Sequence, residues 1–221
     1  MFQQFTLNHV LFLAQSTFVT LQLVLVALAG GAIGSAIITA MLISRFAPIR
    51  WLAEVFVFII QGTPIIVTLF MAYYGLPMLG LNLDQTWSMT VAFAIFTSAF
   101  LGEIWRSSLA AVPKGQWESA HALGLSWGTT MGSVIVPQAM RIAIPPSIGF
   151  LVQLVKGTSV VSIIGVSELT RAAQIVSNAT FKPLPVFLTA AAFYFVINFP
   201  LTLLSRHLEV RFKVGGVMKS H

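Results

Sequence analysis

Long apolar runs alternate with short polar connections along the chain. Five runs stand out: about Thr17 to Ser44, Leu52 to Tyr74, Trp87 to Leu109, Ile144 to Val166 and Leu184 to Ser205. A helix crossing a bilayer needs roughly 20 mostly apolar residues, and each run reaches that length. The pattern predicts an all-α membrane protein with five spans. The fourth run is the weakest, since it holds Lys156, Gly157 and several hydroxyls. Between the fourth and fifth runs, "VSELTRAAQIVSN" (166–178) places Leu169, Ala172, Ala173 and Val176 at helical spacing. Glu168, Arg171 and Gln174 fall elsewhere, which predicts a short amphipathic helix at the outer interface. In the first run Gly30 and Gly34 stand four apart, a spacing that lets helix backbones approach closely. It fits a dimer seam or, preferably, packing within the chain.

One stretch breaks the pattern. "KGQWESAHALGLSWGTTMGSVIVPQAMR" (114–141) carries Lys114, Glu118, His121, Gln138 and Arg141, with glycines at 115, 124, 128 and 132. Composition sharpens the contrast: 57% of the chain is hydrophobic and only 8% charged. Soluble domains carry about 25% charged residues, so too few remain here to solvate a globular surface. The net charge of +6 fits basic residues flanking spans on the cytoplasmic side. No basic stripe with interleaved aromatics stands outside the apolar runs, which argues against nucleic acid. Arg45 and Arg50 lie between the first two runs, and Arg106, Lys114 and Arg141 lie in or beside the polar stretch. Arg206, Arg211, Lys213 and Lys219 follow the last run, while "GLPMLGLNLDQ" carries only Asp84. Arg171 and Lys182 oppose the bias and are outnumbered. An external N-terminus, a cytoplasmic C-terminus and a cytoplasmic polar stretch follow. The N-terminal "MFQQFTLNHVLFLAQS" has no Lys or Arg, so it does not read as a cleaved signal peptide. Residues 1–16 form an external or interfacial segment, 17–206 the transmembrane domain with its loop at about 110–143, and 207–221 a cytoplasmic tail.

Catalytic chemistry is sparse. "GLSWG" (124–128) matches a nucleophile elbow, but that motif needs a strand before it. The histidines show no metal-ligand spacing, cysteine is absent, and no phosphate-cradling G-x-x-x-x-G-K-[ST] occurs. No catalytic residue, metal site or cofactor is assigned to this chain. Polar groups at membrane depth are the better candidates. "QGTPII" puts Gln61, Thr63 and Pro64 near the middle of the second run, where Pro64 frees the carbonyl of Ile60. Glu103 lies in the third run, and Lys156, Thr158 and Ser159 in the fourth. Ionisable residues inside spans mark solute pathways, or else form structural pairs and snorkelling ends.

If residues 117–127 are helical, Trp117, Ala120, Gly124 and Trp127 share one face, flanked by Glu118 and His121. Bulky ends around a nearly bare middle suit docking against another protein. The alternative is an ordinary loop helix folded on its own chain.

"ESAHALG" followed by "VIVP" resembles the EAA loop of ATP-binding-cassette importer permeases: Glu-Ala-Ala, three residues, Gly, nine residues, Ile-x-Leu-Pro. Here the matching residues are Glu118, Ser119, Ala120, Gly124, Val134, Val136 and Pro137. "QGTPIIVTLFMAYYGLP", "GEIWRSSLAAVPKGQWESA" and "VKGTSVVSIIGVSELTRAAQ" are each similar to segments of the polar-amino-acid permeases, and the likeness covers about residues 15–210. It implies the type I importer fold: five spans and a cytoplasmic coupling helix. It also implies a place in the bacterial inner membrane, two permease subunits, two ATPase subunits that hold the ATP and magnesium, and an external solute-binding protein. Trp117, Glu118, Ser119, Ala120, His121, Gly124 and Trp127 then belong to the ATPase-coupling region.

Two departures bear on the solute. Many relatives read Arg-Gly-Thr-Pro at Gln61–Pro64, and Lys-Asp-Ser-Ser at Lys156–Ser159. Both family charges are missing, which points to a heterodimer whose partner holds more of the binding chemistry; a homodimer stays open. Acidic, basic and neutral amino acids, and relatives such as opines, all remain candidates. A secondary transporter or channel would need no docking helix. An intramembrane enzyme lacks any coherent set of reactive groups.

Overall fold

The computed structural model describes residues 4–81 and 84–212; Lys213, Lys219 and the rest of the expected tail from 213 onward lie outside them. The described residues are arranged as helices: α1 (Leu7–Leu42), α2 (Ala47–Gln61), α3 (Ile65–Met78), α4 (Gln85–Ala110), α5 (Lys114–Ala122), α6 (Trp127–Ile164), α7 (Leu169–Thr180) and α8 (Pro183–Phe212). Four of them, α1, α4, α6 and α8, are long and apolar enough to cross a membrane. A fifth crossing exists if α2 and α3, bent by 107° at their junction, count as one.

That bend falls inside the second apolar run, 52–74. Pro64 has no N–H and drives Thr63 out of the helical region. The backbone left open is satisfied locally. Gly62 N–H donates to Phe58 O at 3.0 Å, Thr63 N–H to Ile60 O at 3.3 Å, and the Thr63 hydroxyl to Ile59 O at 2.6 Å. Pro77 and Pro137 are absorbed more gently. A π-helical turn ends two residues before each, at Met71–Gly75 and Thr130–Ile135. The wider turn makes room for a ring that would clash with the carbonyl four residues back.

The helices also outrun their apolar runs. α1 starts at Leu7 with no break near residue 16, and its 36 residues make a rod of about 54 Å. The hydrocarbon layer is only about 30 Å thick. α6 starts at Trp127 rather than Ile144, because small and hydroxyl residues lower hydropathy without stopping a helix.

α1 packs along α4 through its glycines. A Cβ at Gly31 would stand 2.3 Å from Thr97 Cβ, and one at Gly34 2.7 Å from Ser98 Cβ. Ser35 Oγ donates to Thr97 O (3.3 Å) and Thr39 Oγ1 to Gly102 O (3.1 Å) across the same seam. The small-residue motif is therefore consumed inside the chain. The main core lies between α1, α3, α4 and α6, around Val24, Leu69, Phe93, Phe96, Phe150 and Leu154.

A smaller cluster marks each end of the fold. At one end α7 buries Leu169, Ala172, Ala173 and Val176 against Leu13, Val186 and Ala190. The apolar stripe is the expected one, but the protein covers it, not lipid. At the other end Val112, Ile135 and Ala139 gather Leu109, Trp117 and Met131 around them.

Candidate functional site

Two regions carry the candidate residues. The first is α5, in the connection between α4 and α6. Pro113 sets its start, and Gly124 ends it in the left-handed region at φ +67°. Gly124 N–H donates to His121 O (2.9 Å) and Leu125 N–H to Ala120 O (3.1 Å), the paired bonds of a Schellman stop. A side chain at Gly124 would meet open space, so its cost is conformational, about 1–2 kcal/mol. The helix expected over 117–127 thus ends at Ala122. Trp127 belongs to α6, where Ser126 caps the chain start by accepting Thr129 N–H at 3.3 Å. That cap is the place of Ser126 in the G-x-S-x-G match.

The face shared by Trp117, Gly124 and Trp127 is therefore not formed. Trp117 turns inward onto the Val112–Ile135–Ala139 cluster, and Ala120 is buried. Gln138 Nε2 donates to Gln116 Oε1 at 3.0 Å and ties α5 to α6. Glu118, Ser119 and His121 point outward. Leu123 is 77% exposed and Trp127 60% exposed beside them. The result is a short capped helix, anchored on one side and bare on the other.

The second region is a pair of helix irregularities set against each other. α6 tightens into a 3-10 turn at Thr158–Ile164, and a Cβ at Gly157 would lie 3.3 Å from Ile65 Cδ1. Gly157 thus abuts the residue that follows Pro64. Thr63, Pro64, Lys156, Thr158 and Ser159 fall within this neighbourhood by sequence. Gln61, Pro64 and Lys156 are exposed, Thr63 and Ser159 half-buried, and Thr158 buried. The hydroxyls of Thr63, Thr158 and Ser159 each donate to a backbone carbonyl in the preceding turn (2.6, 2.7 and 2.8 Å).

Glu103 is not brought to this place. It stands ten residues beyond Phe93, the α4 residue beside Gly157, hence about 15 Å along the helix. Its carboxylate takes Arg106 Nε at 2.8 Å, a second Arg106 nitrogen, and the Ser107 hydroxyl at 3.2 Å. Two hollows flank the core. One of about 730 Å³ is apolar and opens between α1, α4 and α6. The other, about 690 Å³, lies beside Tyr73, Asp84 and Gln85.

A third cluster was not visible in the sequence. Glu168 is fully buried as the N-cap of α7. Its Oε1 accepts Arg171 N–H (2.8 Å), and its Oε2 accepts Thr170 N–H (2.9 Å) and the Tyr194 hydroxyl (2.9 Å). Burial pushes its carboxyl above the ordinary value, opposed by these donors. Ser167 looks like the more favourable cap by residue type, and the tyrosine that holds Glu168 lies 26 residues on. No local signal connects them.

Long apolar helices, a capped polar helix between two of them and polar breaks within the apolar runs mark a multi-pass membrane protein. Comparison with known proteins gives the family. Residues 11–214 match the binding-protein-dependent transport system inner membrane component family, and the chain belongs to it. It is 36% identical over 192 residues to the probable glutamine ABC transporter permease protein GlnM of Bacillus subtilis, covering 87% of this chain and 89% of that one. It is 32% identical to the arginine transport system permease protein ArtQ of the same species over 209 residues (94% and 95%). Against its L-cystine transport system permease protein TcyB the identity is 39% over 178 residues (80% and 76%). The fold matches the crystal structure of an amino acid ABC transporter with histidines at a TM-score of 0.84, with 32% identity over 90% of this chain and 94% of that one. It also matches the MetNI methionine ABC transporter in inward-facing form at 0.75, with 15% identity over 95% and 100%. The chain is thus a multi-pass inner-membrane permease subunit of an ABC importer, and ATP is hydrolysed by a separate subunit.

Proposed function

We infer that this subunit imports a polar amino acid or a close relative such as an opine. The names of the glutamine, arginine and cystine permeases support that class. α2 and α3 together make the fifth span. The N-terminus lies outside and the C-terminus in the cytoplasm, with residues 7–16 extending α1 outward. Arg45, Arg50, Lys114, Arg141, Arg206 and Arg211 support this orientation, because they gather towards the end that carries α5.

α5 is the coupling helix. Glu118, Ser119, His121, Leu123 and Trp127 face the ATPase, while Trp117, Ala120 and Gly124 fix the helix on its own protein. Closure of the ATPases on ATP drives the permease outward, and their opening after hydrolysis returns it inward, as a rigid-body switch. Gln61, Thr63, Pro64, Lys156, Thr158 and Ser159 line the solute path at the facing breaks. Glu103 serves that path only as half of an ion pair. Gln61 and Pro64 are exposed on the single chain at membrane depth, a position that exposed backbone tolerates only against protein or water. A second permease subunit, a paralogue with more charge in its path, covers them. An external solute-binding protein delivers the ligand.

The observation that carries this reading is the bare outer face of α5 on a firmly capped and anchored helix. The test is reconstitution with the cognate ATPase and binding protein in proteoliposomes. Uptake of the binding protein's amino acid should require ATP hydrolysis and cease without the ATPase. Undiminished uptake without the ATPase would establish the secondary-transporter reading instead.

A further inference from the structure

The hollow of about 690 Å³ is lined by Tyr73, Tyr74 and Pro77 near the end of α3 and by Asp84, Gln85 and Thr86 at the start of α4. α4 is 26 residues long, about 39 Å, and α5 follows its other end. The hollow and the bare helix therefore stand at opposite ends of the fold.

Asp84 caps α4, and the cap takes one of its oxygens: Oδ1 accepts Trp87 N–H at 2.8 Å. Among the described residues Oδ2 has no hydrogen bond and Asp84 no ion pair. From Trp51 to Trp105 the chain has no Lys or Arg, so α3 and the start of α4 bring no cation to the hollow. The α3 side is aromatic. The rings of Tyr73 and Tyr74 meet edge to face at 4.9 Å. Tyrosines at a membrane–water interface are ordinary, and so is a capping aspartate. Neither explains why the two share one hollow. A carboxylate beside aromatic rings is the chemistry that holds an ammonium or guanidinium group, by charge pairing and by attraction to the ring faces.

The hollow also adjoins the polar breaks. Gln85 Nε2 donates to Ile164 O at 2.9 Å, and Ile164 is the last residue of the 3-10 turn that begins at Thr158. On the other side, α3 leads from Pro64 to the hollow. Both irregular segments thus end at it.

We propose that this hollow is a binding site for a cationic group, the ammonium or guanidinium of the amino acid as it enters. This rests on the reading of the chain as an amino-acid importer with α5 in the cytoplasm, which puts the hollow outside. Every free amino acid carries an ammonium group, so the site serves the whole class, and a basic side chain adds a second cation. Exposed ion pairs and ring contacts are each weak, which suits a stop that must release its occupant.

A lysine or arginine of the binding protein has the same chemistry, and the test separates the two sources. The chain has no cysteine, so Thr86→Cys gives it a single thiol, in the hollow. Its reaction with N-ethylmaleimide, a neutral reagent, is followed in the assembled transporter in nanodiscs. We expect arginine and tetramethylammonium to slow the reaction, and succinate at equal ionic strength to leave it unchanged. Asp84→Asn keeps a good N-cap and removes the charge, while Tyr74→Leu keeps an apolar side chain and removes the ring. Each should raise the arginine concentration that halves the rate by roughly two- to fivefold, the scale of an exposed ion pair or ring contact. Equal protection by succinate, or arginine protection unaltered in both variants, would overturn the proposal. Protection by the solute-free binding protein alone would make the hollow a docking point and overturn it too, as would a thiol that never reacts. ATP hydrolysis stimulated by the loaded binding protein, measured in the same nanodiscs, tests the importer reading separately. Stimulation kept while cation protection is absent would remove the site and leave that reading standing.

Discussion

α5 and α7 are both short helices in connections between long ones, yet they are built in opposite ways. α7 buries four side chains on one face, seats a carboxylate at its start and is bonded to α1 and α8. α5 buries little beyond Ala120 and part of Trp117, and leaves most of its surface bare. Under the function proposed above, the contrast separates a brace from a handle. A brace gains from contacts within its own chain. A handle must keep its contact face free for a partner and needs only enough packing to hold its angle.

Substitutions can break or sharpen this contrast. Leu169→Ala opens a cavity under α7 and should destabilise the subunit by about 2–5 kcal/mol, read as a loss of melting temperature; a neutral result would deny that α7 is a brace. Next in size, Leu123→Asp on the bare side of α5 should weaken ATPase association by roughly tenfold or more, as a well-placed interface side chain does. Its effect on the isolated subunit should stay within about 0.5 kcal/mol. Equal losses of stability and association would make α5 a second brace. Gly124→Ala should cost about 1 kcal/mol through its left-handed backbone alone, with a proportionate loss of coupled ATP hydrolysis. Smallest, Gln116→Ala removes the tie to Gln138 and should cost about 0.5–1.5 kcal/mol, loosening α5 without touching its outer face.

Much of this architecture was legible in the sequence, and the misses have physical causes. The stripe of Leu169, Ala172, Ala173 and Val176 is helix-periodic, so its burial followed; what it would be buried against did not, since Leu13 and Val186 come from distant parts of the chain. Polarity at Gln61–Pro64 announced an irregularity, but a proline permits anything from a slight kink to the 107° bend observed. Gly124 was legible as a small residue and misread as part of a face, where its left-handed conformation is a stop. The partner of Glu103 was missed because Arg106, one turn away, was weighed only as a topology signal. Glu168 was invisible as a core residue, because its partner Tyr194 is joined to it only by the packing of α7 on α8. Local chemistry reads well from sequence; long-range polar pairing does not.

The most direct measurement concerns the handle itself. In the cysteine-free chain, Leu123→Cys places a single thiol on the exposed end of α5. Cross-linking is then tested in sealed membranes holding the whole transporter. The account predicts a cross-link to the ATPase subunit whose yield changes with ATP, and protection from impermeant reagent added outside. Labelling of that thiol from the outer side, or full solute uptake with no ATPase present, would contradict it.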